Sequence, residues 1–302
     1  MADLSPTPDQ TAARWRRQQQ DAVESALSGW VRADAPAGLG DAMRYAVLDG
    51  GKRLRPLLVL ATAEALNGQR EAAMRAACAV ELIHAYSLVH DDMPCMDNDV
   101  LRRGKPTVHV RYGQAQALLA GDALQALAFE LLVPDSDEVP AFMAARLCRL
   151  LACAAGADGM AGGQAVDLAS VGLALDLPEL ESMHRRKTGA LLQASVLMGA
   201  ATARTEPDTW AHLSHFGAAL GLAFQVVDDI LDVTVDSATL GKTAGKDAAS
   251  EKPTFVSLMG LDQAKAYADR VLAQAHEALH LSRIGERAIL HNLTDWVGRR
   301  SS

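Results

Sequence analysis

The sequence predicts an all-α protein: a large helical bundle in one domain, with polar residues aimed into a central cavity from facing helices. Three observations carry this. Alanine and leucine dominate while aromatic residues are only 4% and β-branched residues are sparse, a composition that favours helix. Apolar segments of helical length recur from end to end, and none reads convincingly as a strand. Finally, the 302 residues contain no Pro/Ser/Gly-rich linker or shift in composition, so residues 1–302 are expected to form one unit.

The gross chemistry narrows the function. Lys+Arg 29 against Asp+Glu 37 leaves a net charge of −8, which excludes a general nucleic-acid footprint and makes the basic residues matter locally. Hydrophobic residues make up 49%, ample for a large core, yet no uninterrupted run of about 18 apolar residues marks a membrane span. The start MADLSPTPDQ has neither a basic n-region nor an apolar core, so no signal peptide is expected and the expected location is cytoplasmic. Cys78, Cys95, Cys148 and Cys153 have no CxxC spacing and are expected to be free thiols.

Taken in order, Thr7-Pro8-Asp9-Gln10 has the layout of a helix start, and the first helix is expected to run to about residue 32. Ala35-Pro36-Ala37-Gly38 breaks it before a short helix over 39–48. The loop Gly50-Gly51-Lys52-Arg53-Leu54-Arg55-Pro56 gathers three cations where two glycines free the backbone, a candidate anion-binding hairpin, with Pro56 opening the third helix. Asn67-Gly68 ends that helix. A long amphipathic helix over about 70–92 follows, in which His84, Ser87 and Asp91 share one face.

Acidic residues then crowd together. Asp91, Asp92, Asp97 and Asp99 fall within nine positions and are followed by Arg102, Arg103 and Lys105. On an unbroken helix Asp97 would point about 120° away from Asp91, but Pro94 disfavours continuation, and a turn there can bring the two together. Two helices follow, separated near Gly113, then the polar loop 134–140 and a helix to about 155. The segment GMAGGQAVDLAS puts Gln164 and Asp167 on one face beside close-packing glycines.

A helix over about 178–203 carries Lys187-Thr188, and one over 207–233 carries Gln225, Asp228, Asp229 and Asp232, with Gln225, Asp228 and Asp232 facing one way. The segment TLGKTAGKDAASEKPT holds Lys242, Lys246 and Lys252, and two terminal helices finish the chain. Two acid clusters on apolar helices are costly to bury without counter-charge, and hard divalent cations held by carboxylate oxygens are the usual remedy.

In this order the motifs GGKRLRP, ELIHAYSLVHDDMPCMDNDVLRRGKPTVH, AGDALQ, GGQAVDL, KTGALL, FQVVDDILDVT and TLGK resemble the trans-isoprenyl diphosphate synthases, specifically the bacterial farnesyl diphosphate synthase type, over nearly the whole chain. One DDxxD is cheap, whereas two with basic elements between them are specific. The resemblance implies that Asp91, Asp92, Asp97, Asp228 and Asp232 hold three Mg²⁺ ions on an allylic diphosphate. Arg102, Lys187, Thr188, Gln225, Lys242 and Lys252 would then grip that diphosphate, and Asp229 belongs to the same catalytic group. It assigns Lys52, Arg55, His84 and Arg103 to isopentenyl diphosphate, with Gln164 and Asp167 in support.

The implied activity is condensation of isopentenyl diphosphate with dimethylallyl or geranyl diphosphate to (E,E)-farnesyl diphosphate, in a homodimer. Metal ions and fixed cations would stabilise the departing diphosphate, and the released pyrophosphate would take the final proton, so no Ser or Cys nucleophile is needed. Tyr86 and Ser87, just before the first motif, correspond to the floor that stops the growing chain. Geranyl and geranylgeranyl products are the alternatives within the family. The chain departs from the family at Glu251-Lys252-Pro253-Thr254, where a GKST-like stretch is common; the lysine is kept. Cys95 is expected not to ligate, because Mg²⁺ prefers oxygen.

Rival readings fare worse. A terpene cyclase would normally replace the second DDxxD and would not need the Lys52/Arg55/His84 pocket. A di-iron bundle would use Glu-x-x-His, but that pattern occurs at Glu81/His84, Glu181/His184 and Glu277/His280, so it is cheap here. His276, His280 and His291 read as surface residues. An inactive partner subunit would be expected to carry damaged aspartate motifs, and both are whole. Met43, Met74, Trp210 and Phe224 read as core packing.

Overall fold

The computed structural model describes residues 8–48, 50–234 and 252–299. Helices account for nearly all of the regular structure. They are α1 (Pro8–Trp30), α2 (Leu39–Val47), α3 (Leu54–Ala65), α4 (Arg70–Asp91), α5 (Val108–Tyr112), α6 (Gln114–Leu132), α7 (Ala141–Ala155), α8 (Met160–Ala169), α9 (Leu177–His184), α10 (Ala190–Ala201), α11 (Pro207–Thr234), α12 (Phe255–Met259), α13 (Leu261–Leu281) and α14 (Ala288–Gly298). A 3₁₀ turn, Pro36–Gly38, precedes α2, and a π-helical turn, Arg185–Gly189, joins α9 to α10.

Local chemistry explains several ends. Asn67 adopts a left-handed conformation (φ 52°), and the Gly68 N–H donates back to the Ala63 carbonyl at 2.7 Å, closing α3 where Asn-Gly predicts it. A reciprocal capping box, Asp176 with Glu179, opens α9, and Thr254 with Ser257 opens α12. The start of α3 differs from expectation: the helix begins at Leu54, and Pro56 sits inside its first turn, where a missing N–H leaves no intrahelical bond unmade. Thr7, the expected cap of α1, lies outside the described residues.

Helix α4 is not amphipathic as the spacing suggests. It is buried nearly all round, from Ala72 through Val89, because α2, α3, α6 and α10 pack on it. Such a helix is the core of a bundle. By length and composition α4 and α6 could each cross a membrane, but α4 is apolar because the core encloses it. Helix α11 is the second axis, packed against α10 and α13. Each of these two helices carries an aspartate cluster in its last turns.

One strand pair contradicts the strand-free expectation. Leu101–Arg102 pairs antiparallel with Lys105–Pro106. The turn between them has Arg103 at φ 52° and Gly104 at φ 74°, the paired positive values of a tight hairpin whose twist matches its strands.

Candidate active site

The first aspartate motif folds back on itself. Helix α4 stops at Asp91, and Pro94 bars its continuation. The Asp97 N–H then donates to the Asp91 carbonyl at 2.9 Å, and the Asp99 N–H donates to that of Asp92 at 3.1 Å. Asp97 therefore returns beside Asp91. Burial pushes the Asp91 carboxyl up to about 6, with Lys187 opposing the shift and Asp97 adding to it.

The hairpin separates the two adjacent arginines. Arg102 turns back on the motif, donating from Nε and Nη2 to Asp92 at 2.6–3.0 Å. Arg103, in the left-handed position of the turn, reaches the other way and donates to the Gly50 carbonyl at 2.8 Å. A left-handed residue thus delivers neighbouring guanidiniums to different places.

Three cavities adjoin. The smallest, about 180 Å³, is lined by Asp97, Asp167, His184, Lys187, Gln225, Asp228, Asp229 and Lys252, and brings both acid clusters to one space. A channel of about 360 Å³ runs from it past Asp91, Lys187 and Thr188 to Tyr86 and Ser87, between Met96, Met160 and Leu168. The third, about 460 Å³, holds Lys52, Arg55, His84 and Arg103 together with Phe224 and Trp296. Lys187 lines the first two, and Arg55 and His84 line the last two. An apolar channel that ends at Tyr86 and Ser87 therefore adjoins an acidic pocket with lysines through Lys187 and a cationic pocket through Arg55 and His84.

Within the acidic pocket the lysines are paired with carboxylates. Lys187 Nζ lies 2.5 Å from Asp167 Oδ2, and Lys252 Nζ lies 2.9 Å from Asp97 Oδ1 and 3.5 Å from Asp167. Burial would raise Asp167, but these two ammonium groups hold it below the ordinary carboxylate value. Thr188 Oγ1 donates to Gln225 Oε1 at 3.0 Å, and Gln225 Nε2 donates to Asp229 Oδ1 at 2.8 Å. Asp229 Oδ2 accepts the Phe255 N–H at 2.9 Å, so this buried carboxylate ties α11 to α12.

The cationic pocket is built differently. Arg53, which the sequence sets among three loop cations, lines this pocket too, but its guanidinium is engaged by carboxylates. It is 3% exposed, ion-paired to Glu81 at 2.7 Å and Glu24 at 2.6 Å, and donates to the Val47 carbonyl. Removing it would leave Glu81 charged, buried and unpaired, the costly way to break such a pair. Arg55 is buried nearby with its Nε unpartnered, and burial lowers its pKa to about 10 despite Glu81, so it stays charged at neutral pH. Burial and the surrounding arginines hold His84 well below its ordinary value, so it is neutral and retains one N–H donor.

A family model described as polyprenyl synthetase matches residues 36–284. The chain belongs to the polyprenyl synthetase family. It is 48% identical over 280 residues to a probable farnesyl diphosphate synthase of Bradyrhizobium diazoefficiens, covering 91% of this chain and 83% of that protein. It is 47% identical over 262 residues to the large subunit 1 of a heterodimeric geranylgeranyl pyrophosphate synthase of Arabidopsis thaliana, covering 85% of this chain and 71% of that one. The crystal structure of a FPP/GFPP synthase from Zymomonas mobilis superposes with a TM-score of 0.84 at 40% identity, covering 95% of this chain and 99% of that one. The chain is accordingly a prenyltransferase with the all-α isoprenoid synthase fold.

Most of the polyprenyl synthetase residues expected from sequence converge. Lys52, Arg55, His84 and Arg103 share the cationic pocket, and Asp97, Lys187, Gln225, Asp228 and Lys252 share the acidic one. Asp92 is buried against Arg102 on the outer side of the motif, and Asp232 is buried one turn beyond Asp228 on α11. Lys242 lies outside the described residues, as does Lys246. Pro253 leaves Lys252 in the pocket.

Sequence reasoning misread two places. Phe224, the first residue of the FQVVDDILDVT motif, lines the cationic pocket as well as packing, and α14 supplies Trp296 to it from outside any motif. His276 and His291 are not plain surface residues: their rings stack at 5.1 Å between α13 and α14, and His276 lies 3.0 Å from Asp295. Glu81 is committed to Arg53, which removes it as a Glu-x-x-His metal ligand.

The donor set fits magnesium. Among the described residues no three acidic, histidine or cysteine groups converge into a metal cage of their own. Two carboxylates on one wall and others across the pocket instead suit a hard ion that takes one or two protein oxygens and completes its shell with water and phosphate. Cys95 is exposed, and all four cysteines are free.

Proposed function

We propose that this prenyltransferase is a farnesyl diphosphate synthase, condensing isopentenyl diphosphate first with dimethylallyl and then with geranyl diphosphate. The observation that carries the product assignment is the channel floor. Tyr86 and Ser87 lie one turn below Asp91, and the Tyr86 ring is braced edge-on by His90 at 5.7 Å. Ser87 donates to the His84 carbonyl at 2.8 Å, so the small side chain beside the tyrosine is also held. A braced aromatic ring gives the channel a fixed end.

The chemistry divides between the two pockets. Asp91, Asp97 and Asp228, with Asp92 and Asp232 behind them, would hold magnesium, three ions being the expected number. Bound magnesium supplies charge stabilisation to the departing diphosphate oxygens. Lys187, Thr188, Gln225 and Lys252 orient the same diphosphate, with Asp167 holding Lys187 in place and Asp97, the partner of Lys252, among the residues that would hold metal. Lys52, Arg55, Arg103 and neutral His84 bind the second diphosphate by charge and hydrogen bonds alone, so its bridging oxygen is not activated. Met96, Met160 and Leu168 keep water from the reacting carbons between them.

We further propose a cytoplasmic homodimer. The outward face of α6 supports the assembly: Leu118 and Leu119 are 47% and 52% exposed on a helix otherwise as apolar as the buried α4.

The test is product length. Purified protein with Mg²⁺, isopentenyl diphosphate and either dimethylallyl or geranyl diphosphate should give a C15 alcohol after dephosphorylation from both primers. Relatives named geranylgeranyl pyrophosphate synthase support the second reading, and a C20 product would establish it in place of the first.

A further inference from the structure

We infer that His184 is a further diphosphate-binding residue, whose ring N–H donates to the diphosphate held between the two aspartate clusters. The inference rests on that pocket being a diphosphate site. His184 ends α9 and leads directly into the π-helical turn Arg185–Gly189 that carries Lys187 and Thr188. It lines the acidic pocket with Lys187, Asp228 and Lys252.

The ring is 6% exposed, yet neither of its nitrogens has a hydrogen-bond partner. An unsatisfied buried donor is costly, so such a group at a cavity wall calls for a ligand. Its apolar face is already used. The ring stacks on Phe255 at 5.4 Å, and Phe255 is fixed in turn by Asp229 through its N–H and by a stack on Tyr267 at 5.6 Å. Only the polar edge is left to bind.

The acceptor is an anion rather than a metal. Burial and Lys187 hold the imidazole at about 4, outweighing Asp167 and Asp228, so it stays neutral and carries one N–H. Asp167, the adjoining carboxylate, is engaged by Lys187 and Lys252. Magnesium favours oxygen ligands over imidazole.

His184→Phe keeps the stack on Phe255 and removes both nitrogens, whereas His184→Asn returns an amide donor. Calorimetric titration of each with pyrophosphate in the presence of Mg²⁺ should show His184→Phe binding about tenfold more weakly than wild type, a value near the low end for a hydrogen bond to a charged group. His184→Asn should recover part of the loss. Isopentenyl diphosphate, titrated without metal, should bind all three proteins alike. Equal pyrophosphate affinity in wild type and His184→Phe would overturn the inference, as would a parallel loss of isopentenyl diphosphate binding or an asparagine variant no better than phenylalanine. A wild-type protein that binds no pyrophosphate would overturn the diphosphate-site reading as well, so the two failures are distinguishable.

Discussion

Asp91 is held where burial and a second carboxylate act on the same group. Its pKa rises from about 3.9 in an unfolded chain to about 6 in the folded protein. Between those values the folded state holds more protons than the unfolded one, so stability falls as pH rises. The contribution of Asp91 is complete below about pH 4 and is lost as pH passes through 6. Discounted for partial exposure, the metal-free enzyme is destabilised by roughly 1–2 kcal/mol at neutral pH. Asp91→Asn should therefore raise the melting temperature of chelator-treated protein at pH 8 by about 2–5 °C, with no gain at pH 4, while turnover falls by orders of magnitude. Thermal scans at the two pH values check the sign. The residue's place in a motif was legible from Asp91-Asp92 and Pro94; its proximity to Asp97 needed the turn that Pro94 only permits.

The π-helical turn at Arg185–Gly189 shows what an element adds to its residues. Lys187-Thr188 was legible as a motif on one long helix, but the extra residue in the turn was not, because propensity does not distinguish α from π there. Neighbouring elements decide it. A Cβ on Gly163 of α8 would lie 2.1 Å from the Lys187 backbone nitrogen, and one on Gly221 of α11 would lie 2.7 Å from the Gly189 Cα. The turn is thus gripped between two glycines more than 50 residues apart in sequence. Gly163→Ala must move the backbone that carries Lys187. Overpacking of this kind should cost about 1–3 kcal/mol in denaturant unfolding. The displaced lysine should lower kcat by about a hundredfold. A variant with normal kcat would separate the glycine contact from lysine placement. The hairpin at Arg103-Gly104 is a parallel case: the family resemblance assigns Arg102 and Arg103 to different diphosphates, and the turn's positive φ angles are what send one guanidinium back to Asp92 and the other to the Gly50 carbonyl.

At the scale of the molecule, α4 and α11 bring their aspartate clusters to one space, and the apolar channel adjoins both the acidic and the cationic cavity there. The outward face of α6 is the matching large-scale feature on the surface. Replacing Leu118 and Leu119 together by glutamate should convert a dimer to monomers in sedimentation, because paired charges cannot be buried in an apolar interface without partners. A wild-type protein that sediments as a monomer would remove the homodimer proposal.

The sequence by itself determined the helical class, the two acid clusters and the motif order that marks the family, because composition, periodicity and local spacing are properties of contiguous residues. It also located the cationic loop and the Tyr86-Ser87 pair. Tertiary structure alone decided that Arg53, which lines the cationic pocket beside Arg55, is ion-paired to Glu24 and Glu81, and that a left-handed turn is what separates Arg102 from Arg103. It also decided that Phe224, Trp296 and His184 line the cavities. These outcomes depend on which residues far apart in the chain meet across packed helices, and a buried charge or an unsatisfied ring nitrogen acquires its meaning only from those neighbours.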